Sequence, residues 1–202
     1  MTALPVRLAP ALLLMACAIP AAAQIAPAAP QPTSALPVTG SVPDLCILGD
    51  PRLDTGSAAL NVNALTGRIL RIAALTDPTN LSTRPVRASL AFDAACNYPY
   101  TLTVASRNNG LWRQTIGTAT PNGFGNAVPY LADVTWQENS VRLDADATTR
   151  APKSAGFSSA TAAAGTMTID FRVLPGATNA LANAPLVAGD YTDTLTVTLG
   201  AQ

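Results

Sequence analysis

The sequence predicts an all-β protein, a β-sandwich braced by one disulfide. Three features point there: short segments alternate apolar and polar residues with period two, turn-rich loops separate them, and two cysteines remain beyond an N-terminal leader. No segment has a helical period of apolar residues, and no internal repeat is visible.

Residues 1–23 read as a secretory signal peptide. A single cation, Arg7, precedes an apolar run over residues 8–19, and Ala21, Ala22 and Ala23 form a small-residue cleavage site before Gln24. The run is too short to span a membrane. A second reading takes Leu14, Met15, Ala16 and Cys17 as a lipobox, with Cys17 lipidated as the first mature residue. Either leader predicts export through the periplasm, and its short Ala-rich form points to a Gram-negative bacterium. Residues 24–36 are rich in Pro and Ala without alternation and read as an extended arm. Residues 37–202 are the expected domain, and a mature chain of about 179 residues is long enough for one full core.

The domain opens with PVTGSVPDLCILG, where Val38, Val42, Leu45 and Ile47 are expected apolar contacts and Pro43 marks an edge or a bend. A weakly patterned stretch runs to about Thr66. GRILRIAAL follows, and its two isoleucines favour a strand over a short helix. ASLAFDAACNYPYTLTVASRNNG reads as a hairpin: Leu90 and Phe92 lead into Cys96, then Tyr100, Leu102 and Val104 alternate with polar residues before Asn108, Asn109 and Gly110 turn the chain. Further strands are expected at residues 128–136, with Tyr130, Ala132, Val134 and Trp136 in phase, and in GTMTIDFRVL, with Met167, Ile169, Phe171 and Val173 in phase. The Ala-, Ser- and Thr-rich residues 137–165 between them read as loop. The final segment, DYTDTLTVTLGAQ, sets Leu195, Val197 and Leu199 on one face and Thr194, Thr196 and Thr198 on the other. Nothing follows it that could form a neighbour, so its second edge presents unpaired N–H and C=O groups unless another part of the chain closes it.

Charge and composition narrow the function. Twelve Lys and Arg balance 12 Asp and Glu, which leaves no basic patch for nucleic acid and no acidic tail. A bland, Thr-rich surface suits an exported structural or adhesive module better than an enzyme that steers a charged substrate. In an oxidising compartment the isolated pair Cys46 and Cys96 is most simply a disulfide; the alternative is two buried free thiols. Two thiols without a histidine make a poor metal site.

The chain has no histidine, which removes Ser-His-Asp, Cys-His and His-based metal centres together. Gly123, Phe124 and Gly125 are too short a match to a nucleotide loop to mean more than a turn. Asp144 and Asp146 stand two apart and could form a carboxylate pair or hold calcium, although charges on an outward strand face are commoner. Tyr98, Tyr100, Trp112, Tyr130 and Trp136 could form a sugar platform or serve as core. No cofactor, no metal and no enzymatic activity are expected.

Four stretches carry a family resemblance: VTGSVPDLC near the start, FDAACNYPYTLTV around the second cysteine, VPYLADVTW in the middle, and the ending LVAGDYTDTLTVTL. Together they resemble the spore coat protein U-like domain family, which includes the Csu-type subunits of archaic chaperone-usher pili. The similarity spans most of residues 37–199. It implies an incomplete immunoglobulin-like sandwich that lacks its last strand, with a disulfide where Cys46 and Cys96 stand. It also implies that the missing strand comes first from a periplasmic chaperone, then at the usher from the extension of a neighbouring pilus subunit. Leu195, Val197 and Leu199 would then line the donor-strand groove; in a complete sandwich they would be ordinary core. Pro27, Pro30 and Pro32 make the arm a poor donor unless the usable stretch is residues 35–42, so a tip or minor subunit fits better than a rod subunit. The competing expectation is a self-complete secreted or lipid-anchored sandwich that binds a glycan or other surface ligand through its aromatics.

Overall fold

The structure is a computed structural model that describes residues 36–114 and 119–202. The expected signal peptide, Cys17 and residues 24–35 of the arm lie outside the described residues. The chain divides into two units, residues 1–41 and 42–202. In the first, described residues 36–41 form no strand and are exposed.

The second unit is a β-sandwich, with fourteen strands and no helix among the described residues. Its larger sheet runs in the antiparallel order β1 (Cys46–Leu48), β5 (Val86–Cys96), β12 (Ala163–Val173), β9 (Tyr130–Trp136), β10 (Asn139–Ala145). The short β2 (Arg52–Leu53) continues β1 along the same edge of β5. The opposing sheet has three strands, β11 (Lys153–Ser159), β6 (Tyr100–Ser106) and β14 (Leu195–Ala201), with β6 in the middle. Smaller additions are the hairpin of β3 (Val62–Thr66) with β4 (Ile69–Ile72), and a three-stranded patch in which β7 (Leu111–Arg113) lies between β8 (Ala127–Val128) and β13 (Tyr191–Thr192).

In chain order, β1 with β2, then β5, β6, β9, β12 and β14, take the positions of the first six strands of an immunoglobulin sandwich, four in one sheet and two in the other. Beside β14, where that fold places its seventh strand, no described strand pairs. The core is the period-two content of these strands. Val86, Leu90 and Phe92 of β5, Ile169 and Phe171 of β12, and Val134 and Trp136 of β9 meet Tyr100, Leu102 and Val104 of β6. Burial of about 1.5–3 kcal/mol per large side chain makes this cluster the main source of stability.

Cys46 and Cys96 stand opposite each other on β1 and β5 and are joined by a disulfide, as expected. The outer face of the larger sheet is charged: Arg52 holds Asp93 through two bonds of 2.9 Å, and Asp133 accepts from both Arg142 and Arg172.

Several expectations change. β5 and β6 are not a hairpin. Both edges of β5 are taken, by β1 and β2 on one side and β12 on the other, so the chain crosses after Cys96 into the opposing sheet. Residues 137–165 are not a loop: β10 pairs with all seven residues of β9, and β11 pairs with all seven of β6. Cross-strand pairing there outweighs the weak strand propensity of Ser, Ala and Gly. The strand expected around GRILRIAAL is β4, but its partner β3 falls in the stretch read as unpatterned. Val38, Val42, Leu45 and Ile47 are exposed rather than core contacts, and only residues 46–48 of that segment pair.

Candidate strand-docking edge

β14 is fixed at its start by a carboxylate. Asp193 accepts hydrogen bonds from the Tyr130 hydroxyl at 2.7 Å, from the backbone N–H of Asn108 at 2.9 Å and of Thr194 at 2.7 Å, and from the Ser106 hydroxyl. Arg107 N–H donates to the Thr194 carbonyl at 3.0 Å. The cluster joins the beginning of β14 to the end of β6 and to β9. Burial pushes the Tyr130 hydroxyl well above the ordinary phenol range, and the adjacent Asp193 charge adds to the rise. Tyr130 therefore stays protonated and acts as a donor. No sequence pattern marked this cluster, because its members come from three distant segments.

From that anchor β14 pairs residue by residue with β6, from Leu195 opposite Ser106 to Ala201 opposite Tyr100. Leu195, Val197 and Leu199 face the core and pack against it, while Thr196 and Thr198 face out. The two strands differ in how well the same inward row is covered. Leu102 and Val104 of β6 are 0% exposed, yet their register partners Leu199 and Val197 are only half-buried. A strand with a neighbour on one side leaves its inward side chains open toward the missing neighbour, which accounts for the difference.

That open edge lacks the usual protection. Native edge strands are commonly short, charged, proline-bearing or bulged, because a bare ladder invites pairing with another chain. The seven residues of β14, LTVTLGA, hold no charge and no proline, and their pairing with β6 shows no bulge. On the same flank, the edge of the larger sheet is blunted: β1 has three residues, β2 has two, and Gly49, Asp50 and Pro51 interrupt them. β1 comes near β14, but no ladder joins them.

The other candidates separate. Asp144 is exposed on β10. Asp146 is held instead by Lys153 Nζ at 2.6 Å, Asn109 Nδ2 at 2.6 Å and the Thr148 N–H at 3.0 Å, so the two form no carboxylate pair. No group of three or more His, Cys, Asp or Glu residues able to hold a metal occurs among the described residues. The aromatics form no exposed platform: Tyr100 and Trp136 are 0% exposed and Tyr130 is 3%, and Tyr98 and Trp112 are half-buried. Tyr100, Tyr130 and Trp136 serve as core because each stands at an inward strand position; Tyr100 and Trp136 pack at 4.6 Å between centroids. Gly125 is structural, forming a parallel bridge with Leu186 in which its N–H donates to the Pro185 carbonyl at 2.9 Å. Against known proteins, no family model matches the chain, and no curated protein matches it.

Proposed function

We propose that this chain is an exported, non-enzymatic structural or adhesive subunit of a chaperone-usher type fimbria or related surface assembly, completed by a strand from another chain laid along β14. The observation that carries the reading is the unprotected edge of β14 above half-buried Leu195, Val197 and Leu199. In such β-augmentation, main-chain hydrogen bonds supply affinity and the spaces between alternate side chains supply specificity. A periplasmic chaperone would hold the edge first, and a neighbouring subunit would replace it.

Residues 36–42 give the chain a short donor of its own. Leu36, Val38 and Val42 are more than 80% exposed and share one parity, with Gly40 between them. Pro37 and Pro43 share the other parity, so both missing N–H groups fall on one edge of the extended segment. The even-numbered edge keeps all its donors and can ladder with a β14; the proline edge would face the blunted side of the groove. This supports a donor with one usable edge.

The test appends a strand. The secreted chain from residue 24 is compared with the same chain carrying LPVTGSV or an alternating Val-Thr strand joined by a flexible linker after Gln202. The expected result is a rise in Tm of about 10 °C or more, with a shift from aggregate to monomer. A stable monomer whose Tm does not respond to either strand would overturn the proposal.

A further inference from the structure

The chain holds two Asn-Gly pairs, Asn109-Gly110 and Asn122-Gly123. Glycine has no side chain to hinder its own nitrogen from reaching the preceding asparagine's side-chain carbonyl carbon, and it leaves the backbone free to turn. The fold treats the two pairs oppositely. Asn109 is 5% exposed; its Nδ2 donates to Asp146 at 2.6 Å and its Oδ1 accepts from the Asp146 N–H at 3.0 Å, so the side-chain amide is held at both ends. The Gly110 N–H points at the Asp193 carboxylate at 3.4 Å, where loss of its proton would set two negative charges side by side. By contrast, Asn122 and Gly123 form the exposed tip of a turn closed by the Phe124 N–H, which donates to the Pro121 carbonyl at 3.1 Å. The Asn122 side chain makes no hydrogen bond to a described residue, and the space around Gly123 is open. An exposed loop tip of this kind opens at little cost in free energy.

We propose that Asn122 is a site of self-modification, at which the folded chain deamidates through a succinimide, while the fold protects Asn109 from the same reaction. The Gly123 nitrogen gives its proton to solvent base and bonds to Asn122 Cγ; the Cγ–Nδ2 bond breaks and ammonia leaves. Water then opens the ring at either carbonyl, giving aspartate at one and isoaspartate at the other. Water is the only co-reactant, and the rate rises with hydroxide because the attacking nitrogen must lose its proton. Either product adds a negative charge to a chain in which 12 cations balance 12 anions, so modified and unmodified molecules separate by charge. Isoaspartate also lengthens the main chain by one carbon shortly before Gly125, whose N–H and carbonyl tie this loop to Pro185 and Val187.

The test incubates the folded secreted chain from residue 24 for days in mildly alkaline buffer, beside the same chain unfolded in urea. Trypsin, used at mildly acid pH to stop further conversion, separates the pairs into the peptides 108–113 and 114–142. Mass spectrometry is expected to show a gain of about 1 Da on the second peptide, placed at residue 122 by fragmentation. In the folded chain Asn109 should convert at least about tenfold more slowly than Asn122, because its two hydrogen bonds must break first. In urea both should convert at similar rates. Asn122→Gln, an exposed change that leaves the turn intact, should abolish the gain on peptide 114–142. The proposal is overturned if the folded chain stays unmodified at Asn122 while the unfolded chain converts, if Asn109 converts as fast as Asn122 in the folded chain, or if the gain falls on Asn126 or Asn139 instead. The reaction does not involve the β14 edge, so it and the strand fusion succeed or fail separately.

Discussion

No ladder joins the sheets on either flank of the sandwich, but on one β10 packs closely against β11, while on the other β1 and β14 only approach each other. The closed flank uses two seven-residue strands, each paired along its whole length within its own sheet. The open flank sets a seven-residue strand against an interrupted one of three and two residues. The difference separates holding a strand in its sheet from covering its edge. The disulfide and the Asp193 cluster fix the two strands of the open flank to their own sheets, so each edge is held in place without being covered by the other. Under the proposed function, such an edge would accept another strand without refolding.

The largest effect expected from breaking this arrangement belongs to the disulfide. Cys46→Ala combined with Cys96→Ala releases β1 from β5, and a closed loop of about fifty residues is worth about 4 kcal/mol on the chain-entropy model. Urea denaturation of the variant against the oxidised chain measures it; a loss under about 1 kcal/mol would mean that pairing with β5 suffices to hold β1.

A smaller and more specific effect comes from two leucines that face each other in register. Leu102→Ala removes a side chain buried on all sides and is expected to cost about 3 kcal/mol. Leu199→Ala is expected to cost less in the free chain, about 2 kcal/mol, because that side chain is only partly buried. With a strand appended after Gln202, the Leu199 cost should rise toward that of Leu102. Equal costs without the added strand would mean that the edge is already covered.

The anchor of β14 comes next. Asp193→Asn is expected to cost about 2 kcal/mol, because the Tyr130 and Ser106 hydroxyls both donate to this carboxylate from inside the fold. Combined with Tyr130→Phe, the loss should be less than additive, since each change removes the same bond. Chemical denaturation of the two single variants and the double one checks this, and strict additivity would separate the two residues energetically.

Much of this architecture was legible in the sequence where one strand face is buried and the other wet. The phases of β9, β12 and β14 follow directly from alternation, and the disulfide from two cysteines in an exported chain. What stayed hidden depends on distant partners. β11 carries only two apolar residues, Ala155 and Phe157, on its inward row and becomes a strand through β6. The turn after Cys96 resembles a hairpin locally, and only the occupied edges of β5 show that it crosses between sheets. Leu195, Val197 and Leu199 were readable as an apolar row, but alternation cannot say whether a row is covered; their partial exposure beside fully buried β6 can. Asp193, one residue among 12 acids, had no signal before Tyr130, Ser106 and Asn108 converged on it.

The smallest expected effect tests the closed flank, where Asp146 follows β10 and Lys153 opens β11. Lys153, then the Thr148 N–H and hydroxyl, hold the Asp146 carboxyl well below the ordinary carboxylate range. Both side chains are more than a third exposed, so screening by water limits the cost of Asp146→Asn to less than about 1 kcal/mol. The sign with pH is fixed by the direction of the shift. A carboxylate whose pKa is lower in the folded chain contributes fully above its unfolded value, near about 4, and loses that contribution as the pH falls from there. The stability gap between wild type and Asp146→Asn should therefore be constant from neutral pH down to about pH 5 and narrow below it, as read from denaturation midpoints across that range. A gap that persists unchanged at pH 3 would mean that the hydrogen-bond geometry around Asn109 and Thr148, rather than the charge, ties β10 to β11, and that the closed flank is sealed by shape alone.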